Sequence, residues 1–289
     1  MARFILNKPL RKRLTGTADG DLVMGSRQRP WISIRRGGEL RLKGGDDRVF
    51  GLAMTPDQSG VTLEKGVIRS GASDDELVGI GGIQAWDSTI DTGSGADSII
   101  GFSNRIALNL GGSIVTTGPG DDRIRATRGT SRKRPWIGLY VGVSSVDTGK
   151  GDDRIVAYGR LAGLVLDDGG LTTGKGNDTV DVRHGGLATG YASEPLNLGP
   201  GDDRFIGFAA KPSSFGWGSQ EPASVRGGRG TDTLVLPPGT YSIEGEAVIG
   251  AHNTLMASGF ERLEAFGGGA RPFSDGTFLV DRTAITALA

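Results

Sequence analysis

The stretch TGKGNDTVD, residues 173–181, belongs to a series that fixes the architecture of the chain. TGPGDDRIR (117–125), TGKGDDRIV (148–156), LGPGDDRFI (198–206) and GGRGTDTLV (227–235) repeat its Gly-x-Gly-x-Asp core. Aligned on the last aspartate, the series is Asp97, Asp122, Asp153, Asp178, Asp203 and Asp232, with degenerate copies ending at Asp21, Asp47 and Asp75. From Asp47 onward the steps are 28, 22, 25, 31, 25, 25 and 29 residues. A repeat of this length is the signature of a solenoid, in which each unit hides its apolar face only by stacking on the next.

The offsets around the aspartate support that reading. Two residues after it stand Val23, Val49, Leu77, Ile99, Ile124, Ile155, Val180, Phe205 and Leu234, and seven residues before it every copy is again apolar. Alternating pairs such as Val61/Leu63, Ile83/Ala85 and Leu164/Leu166 mark further strands with one face inward. With 51 glycines in 289 residues and few aromatics, the composition favours corners and short strands over helices. The sequence therefore predicts an all-β, right-handed parallel β-solenoid of the β-roll or β-helix type, with about nine coils. At a coil spacing of about 4.8 Å, nine coils make a rod about 43 Å long. Residues 1–13 form an N-terminal cap, 14–239 the repeat, and 240–289 a C-terminal cap that doubles as a candidate secretion signal.

Stacking places one carboxylate per coil on a single edge, about 4.8 Å apart. Such a row needs a cation or raised pKa values. Calcium suits it, because Gly-rich turns can supply carbonyl oxygens beside Asp. With no cysteine and two histidines, zinc and copper are disfavoured. The metal-free alternative is a row of Asp turns balanced by the Arg that follows the aspartate in four copies: Arg48, Arg123, Arg154 and Arg204.

The repeats resemble the haemolysin-type, or RTX, calcium-binding nonapeptide, Gly-Gly-x-Gly-x-Asp-x-apolar-x. GGRGTDTLV matches it in full, and two other copies match except at the first glycine. The resemblance implies several calcium sites between neighbouring loops. Their ligands would come from Asp97, Asp122, Asp153, Asp178, Asp203 and Asp232, the weaker copies Asp47 and Asp75, and the turns at Gly95, Gly120, Gly151, Gly176, Gly201 and Gly230. It also implies type I export through an uncleaved C-terminal signal and a secreted or cell-surface location. That agrees with an N-terminal apolar stretch too short for a signal-peptide core. The chain departs from the family in carrying one motif per coil of about 25 residues rather than tandem motifs, and in its formal net charge of zero.

Two basic stretches, residues 27–36 (with Arg27, Trp31 and Arg36) and 128–136 (with Arg128 and Trp136), are candidate contacts for an anionic polysaccharide. Their bland reading is solvated arginine. A net charge of zero and the lack of a recognition helix argue against nucleic acid, and no segment is long and apolar enough to span a membrane. His184 and His252 lie far apart and show no triad or metal spacing. The second class of function is a polysaccharide-active β-helix enzyme of lyase or epimerase type, with paired carboxylates such as Asp152/Asp153 in acid–base roles. Repetition argues against it, because a catalytic site is normally built once.

Overall fold

A computed structural model describes residues 1–288 except 56, 129–135, 191–192 and 212–221. The described residues contain strands and turns and no helix. Each full coil contributes one strand to each of three long sheets. In the coil of Asp122 these are Arg123–Arg128 in the first sheet, Ile137–Gly142 in the second and Ser145–Asp147 in the third. Coil-to-coil pairing is parallel and in register with the repeat: Ile99 lies beside Ile124, Ile124 beside Ile155, and Ile155 beside Val180.

The interior follows from the offsets. The residues two places after each aspartate are all at most 1% exposed, and the pairs Val61/Leu63, Ile83/Ala85 and Leu164/Leu166 line the inner face of the second sheet. One continuous apolar column runs the length of the rod. Fully burying an Ile or Leu side chain contributes roughly 1.5–3 kcal/mol. Each coil adds several such residues, but only while its neighbours are in place.

The stack extends beyond the expected limits at both ends. Strand Arg3–Leu6 pairs in parallel with Leu22–Gly25, so the segment before residue 14 is part of the first sheet. At the other end, Thr254–Ser258 and Arg262–Ala265 pair in parallel with Ala223–Arg229 and Thr233–Leu236. Parallel stacking thus passes residue 239. The true change of pattern is a set of antiparallel strands, Gly239–Glu244, Ala247–Ile249, Ala270–Pro272, Gly276–Val280 and Ile285–Leu288, which cover the last coil. Such a cover shields an edge that would otherwise present unpaired backbone groups.

Candidate functional site

The Gly-x-Gly-x-Asp segments form the corner between the third and first sheets. Two glycine columns make the corner tight. Gly174 has φ 102° and Gly176 has φ 131°, and a Cβ at either would collide with the carbonyl oxygen of the glycine one coil earlier, Gly149 or Gly151. Gly95, Gly120, Gly151, Gly201 and Gly230 stand in the same column as Gly176, each closed against the backbone before it. The sequence thus keeps glycine here to let successive backbones approach.

All nine repeat aspartates are buried, each at most 2% exposed. They face the preceding coil. The backbone N–H of Asp153 donates to Asp178 Oδ1 at 2.8 Å, that of Asp178 to Asp203 at 2.7 Å, and that of Asp203 to Asp232 at 2.9 Å. The same bond links Asp21 to Asp47, Asp47 to Asp75, Asp75 to Asp97, Asp97 to Asp122 and Asp122 to Asp153. Ala2 N–H begins the line on Asp21, and Asp232 N–H ends it on Glu261 Oε2 at 2.7 Å. Tight corners leave an N–H that the strand ladder cannot reach, and the carboxylate of the next coil satisfies it.

A second row runs on the outside with opposite direction. Asp121 Oδ1 accepts from the Asp152 N–H, Asp152 Oδ1 from Asn177, Asn177 Oδ1 from Asp202, and Asp202 Oδ1 from Thr231, at 2.7–2.9 Å. The adjacent residues Asp152 and Asp153 therefore bond to opposite neighbours and do not converge as an acid–base pair.

The inner row is electrostatically unusual. In eight of these aspartates, all but Asp21, Oδ2 is buried and has no hydrogen-bond partner. Burial, which outweighs the amide bonds, pushes the carboxyls up: Asp47, Asp122, Asp178 and Asp232 to about 6, Asp153 and Asp203 to about 7, and Asp75 to about 8. Asp97 is raised from the same main cause. At Asp21 burial also acts upward, but donors from Thr17 and Ala2 outweigh it and the carboxyl lies below its ordinary value.

Threonines beside this row complete the corner. Thr117, Thr148 and Thr173 donate their hydroxyl protons to carbonyls of the following coil, those of Thr148, Thr173 and Leu198. Each hydroxyl also lies near the carboxyl of its own coil and, with its one proton given to a carbonyl, faces that carboxyl as an acceptor. A proton on Oδ2 would turn the orphan oxygen into a donor, with the threonine Oγ1 as acceptor.

Calcium would need six to eight oxygens around these carboxylates. The corner carbonyls are already engaged between coils: Pro119 accepts from Gly95 N–H, Lys150 from Gly120, Lys175 from Gly151, Pro200 from Gly176 and Arg229 from Gly201. Among the described residues, no group of three or more His, Cys, Asp or Glu side chains is arranged to hold a metal ion.

The arginines that follow the aspartates point outward from the first sheet. Arg48 pairs with Glu76 at 2.7 Å and Arg204 with Glu264 at 2.9 Å, whereas Arg123 and Arg154 have no carboxylate partner among the described residues. The two counter-charges present, Glu76 and Glu264, are themselves outward side chains, and the inner aspartates answer to amides. The first basic stretch runs from the end of strand Leu22–Gly25 of the first sheet into strand Ile32–Arg35 of the second. Arg29 stacks over Trp31 at 4.9 Å, and Arg35 pairs with Glu64 at 3.4 Å. Residues 129–135 of the second stretch lie outside the described residues. Arg128 is exposed, and Trp136 is 52% exposed with Arg160 at 5.9 Å from its ring.

Sequence reasoning missed three features. Glu261 ends the aspartate row, and Leu263 and Ala265 at the same offsets, two and four residues on, could have revealed it. Ser88, Ser113 and Ser144 form a ladder at the corner between the second and third sheets: Ser88 N–H donates to Ser113 Oγ and Ser113 N–H to Ser144 Oγ. A cleft of about 470 Å³ lies against the C-terminal cap; among the described residues its lining includes Arg160, Arg183, Lys211 and His252 and no carboxylate. No family model, curated protein or solved structure matches the chain.

Proposed function

We propose that the chain is a non-catalytic scaffold or binding rod whose aspartate rows hold the coils together by accepting backbone amides, without calcium. The observation that carries this reading is the unbroken line of carboxylate–amide bonds from Ala2 through nine aspartates to Glu261. Each repeat aspartate is accounted for by one structural task, performed once per coil. Among the described residues no carboxylate lines the basic cleft, which favours a scaffold over a lyase or epimerase that would use Asp with Arg or Lys.

The second reading is the calcium-binding, haemolysin-type one, with export by a type I system. What favours it is the row of orphan Oδ2 atoms, which a cation would satisfy as well as protons do. Either reading suits a secreted or cell-surface rod. Equilibrium dialysis against millimolar calcium separates them: the scaffold reading expects no stoichiometric uptake and the same melting curve in EDTA. Uptake of several ions per chain, with a steep rise in melting temperature, would establish the calcium reading instead. Incubation with acidic polysaccharides should release no new reducing ends.

A further inference from the structure

On the outer face of the first sheet, four arginines gather where their charge is not matched. Arg123 and Arg154 are direct neighbours in the parallel register, and Arg125 and Arg128 follow on the same strand as Arg123. Together with Thr127, Val156, Tyr158 and His184 they line a concavity of about 390 Å³. Like charges placed side by side on adjacent strands destabilise a sheet. Elsewhere in this row the chain avoids that cost by pairing Arg48 with Glu76 and Arg204 with Glu264.

Here it does not. None of the four guanidinium groups meets a carboxylate among the described residues, and Arg125 instead stacks over Phe102 at 5.3 Å. Asp181, beside Val156 one coil on, is already held by Arg183 at 2.8 Å and by the Tyr158 hydroxyl at 2.9 Å. A second observation concerns Thr127. It is 4% exposed, it lines the concavity, and its Oγ1 is buried with no hydrogen-bond partner. Four cations without a carboxylate partner among the described residues and an orphan hydroxyl line one pocket, as a receptor for an anion would require.

We propose that the Arg123–Arg125–Arg128–Arg154 pocket binds the carboxylate or sulfate groups of an acidic polysaccharide. Guanidinium groups grip such oxyanions in bidentate fashion. The charge is confined to a concave site on a chain of zero net charge, which suits a flexible anionic chain better than a duplex. Single-stranded nucleic acid would need open aromatic faces for its bases, and the Tyr158 ring is packed edge-on against His184 at 4.7 Å. This names a ligand for the scaffold proposed above and rests on that reading.

The test is isothermal titration of the full chain with polygalacturonate and dextran sulfate oligomers, with neutral dextran and oligo(dT) as comparisons, at low and moderate salt. Saturable binding of a charged glycan that weakens with salt is expected, with no binding of dextran. The double variant Arg123→Gln/Arg154→Gln should lose at least about tenfold in affinity, while Arg226→Gln/Arg229→Gln on the third sheet, with the same change in net charge, should stay within about twofold. Melting curves check that both variants fold. An equal loss in both variants, no saturable binding, or tighter binding of oligo(dT) overturns the proposal. Retained binding together with glycan cleavage would leave the pocket standing and remove the non-catalytic reading.

Discussion

Replacing Asp178 by asparagine exchanges one buried oxygen for an NH2 group and keeps the Oδ1 that accepts the Asp153 N–H. The neutral amide imitates the protonated acid, and Thr173 Oγ1, whose own proton goes to the Leu198 carbonyl, is left to accept from it. Burial lifts this carboxyl from 3.8 to about 6. The raised value means that the folded chain holds the proton more tightly than the unfolded one. Its stabilising contribution is therefore full below about pH 4 and is lost as pH rises through about 6. The whole shift corresponds to about 3 kcal/mol at roughly 1.4 kcal/mol per unit, and screening at a corner near solvent reduces this to about 1–2 kcal/mol. Guanidinium unfolding followed by circular dichroism, in EDTA, should find Asp178→Asn more stable than the parent by that amount at pH 8. The two should be nearly equal at pH 4.5. Asp178→Ala, which strands the Asp153 N–H, should lose about 1–3 kcal/mol at both pH values. If asparagine were as damaging as alanine at pH 8, the ionised oxygen would have a favourable partner and the reasoning would fail.

Other perturbations probe the same corner and its neighbours. Gly176→Ala drives a Cβ into the Gly151 carbonyl at positive φ and should cost more than about 3 kcal/mol, read as a large fall in denaturation midpoint or loss of soluble protein. Glu261→Ala removes the acceptor of the Asp232 N–H and should cost about 1–3 kcal/mol, with faster hydrogen exchange confined to the last coils. Ser113→Ala leaves the Ser88 N–H without its acceptor and should cost about 1–2 kcal/mol in the same unfolding assay. Phe205→Ala empties the largest fully buried side chain of the core and should cost about 3–5 kcal/mol.

The fold was legible because stacking demands the same residue type at the same offset in every coil. The apolar residues around each aspartate, the glycine columns and the alternating pairs of the second sheet are all visible without coordinates. What the aspartate does was less legible. An Asp in a Gly-rich turn reads alike whether its oxygens meet a metal or an amide, and the choice depends on which way χ1 points. The opposite directions of Asp152 and Asp153 illustrate this, since nothing in the dipeptide distinguishes them. The arginine pocket was hidden for a related reason. Arg48 and Arg123 occupy the same repeat position, and only the residue one coil away, Glu76 or Arg154, decides whether the charge is matched. The end of the stack was misplaced because Glu261 replaces aspartate while the strand offsets continue.

The central claim is that buried carboxyls, held by amides and protons, join the coils. It is tested most directly by the unfolding midpoint of the unmodified chain at pH 5 and pH 8.5, each in EDTA and in millimolar calcium. The account predicts higher stability at pH 5, because the row of raised carboxyls keeps its protons there, and no effect of calcium at either pH. Stability that rises with pH, and rises further with calcium, would contradict it and identify the aspartates as metal ligands.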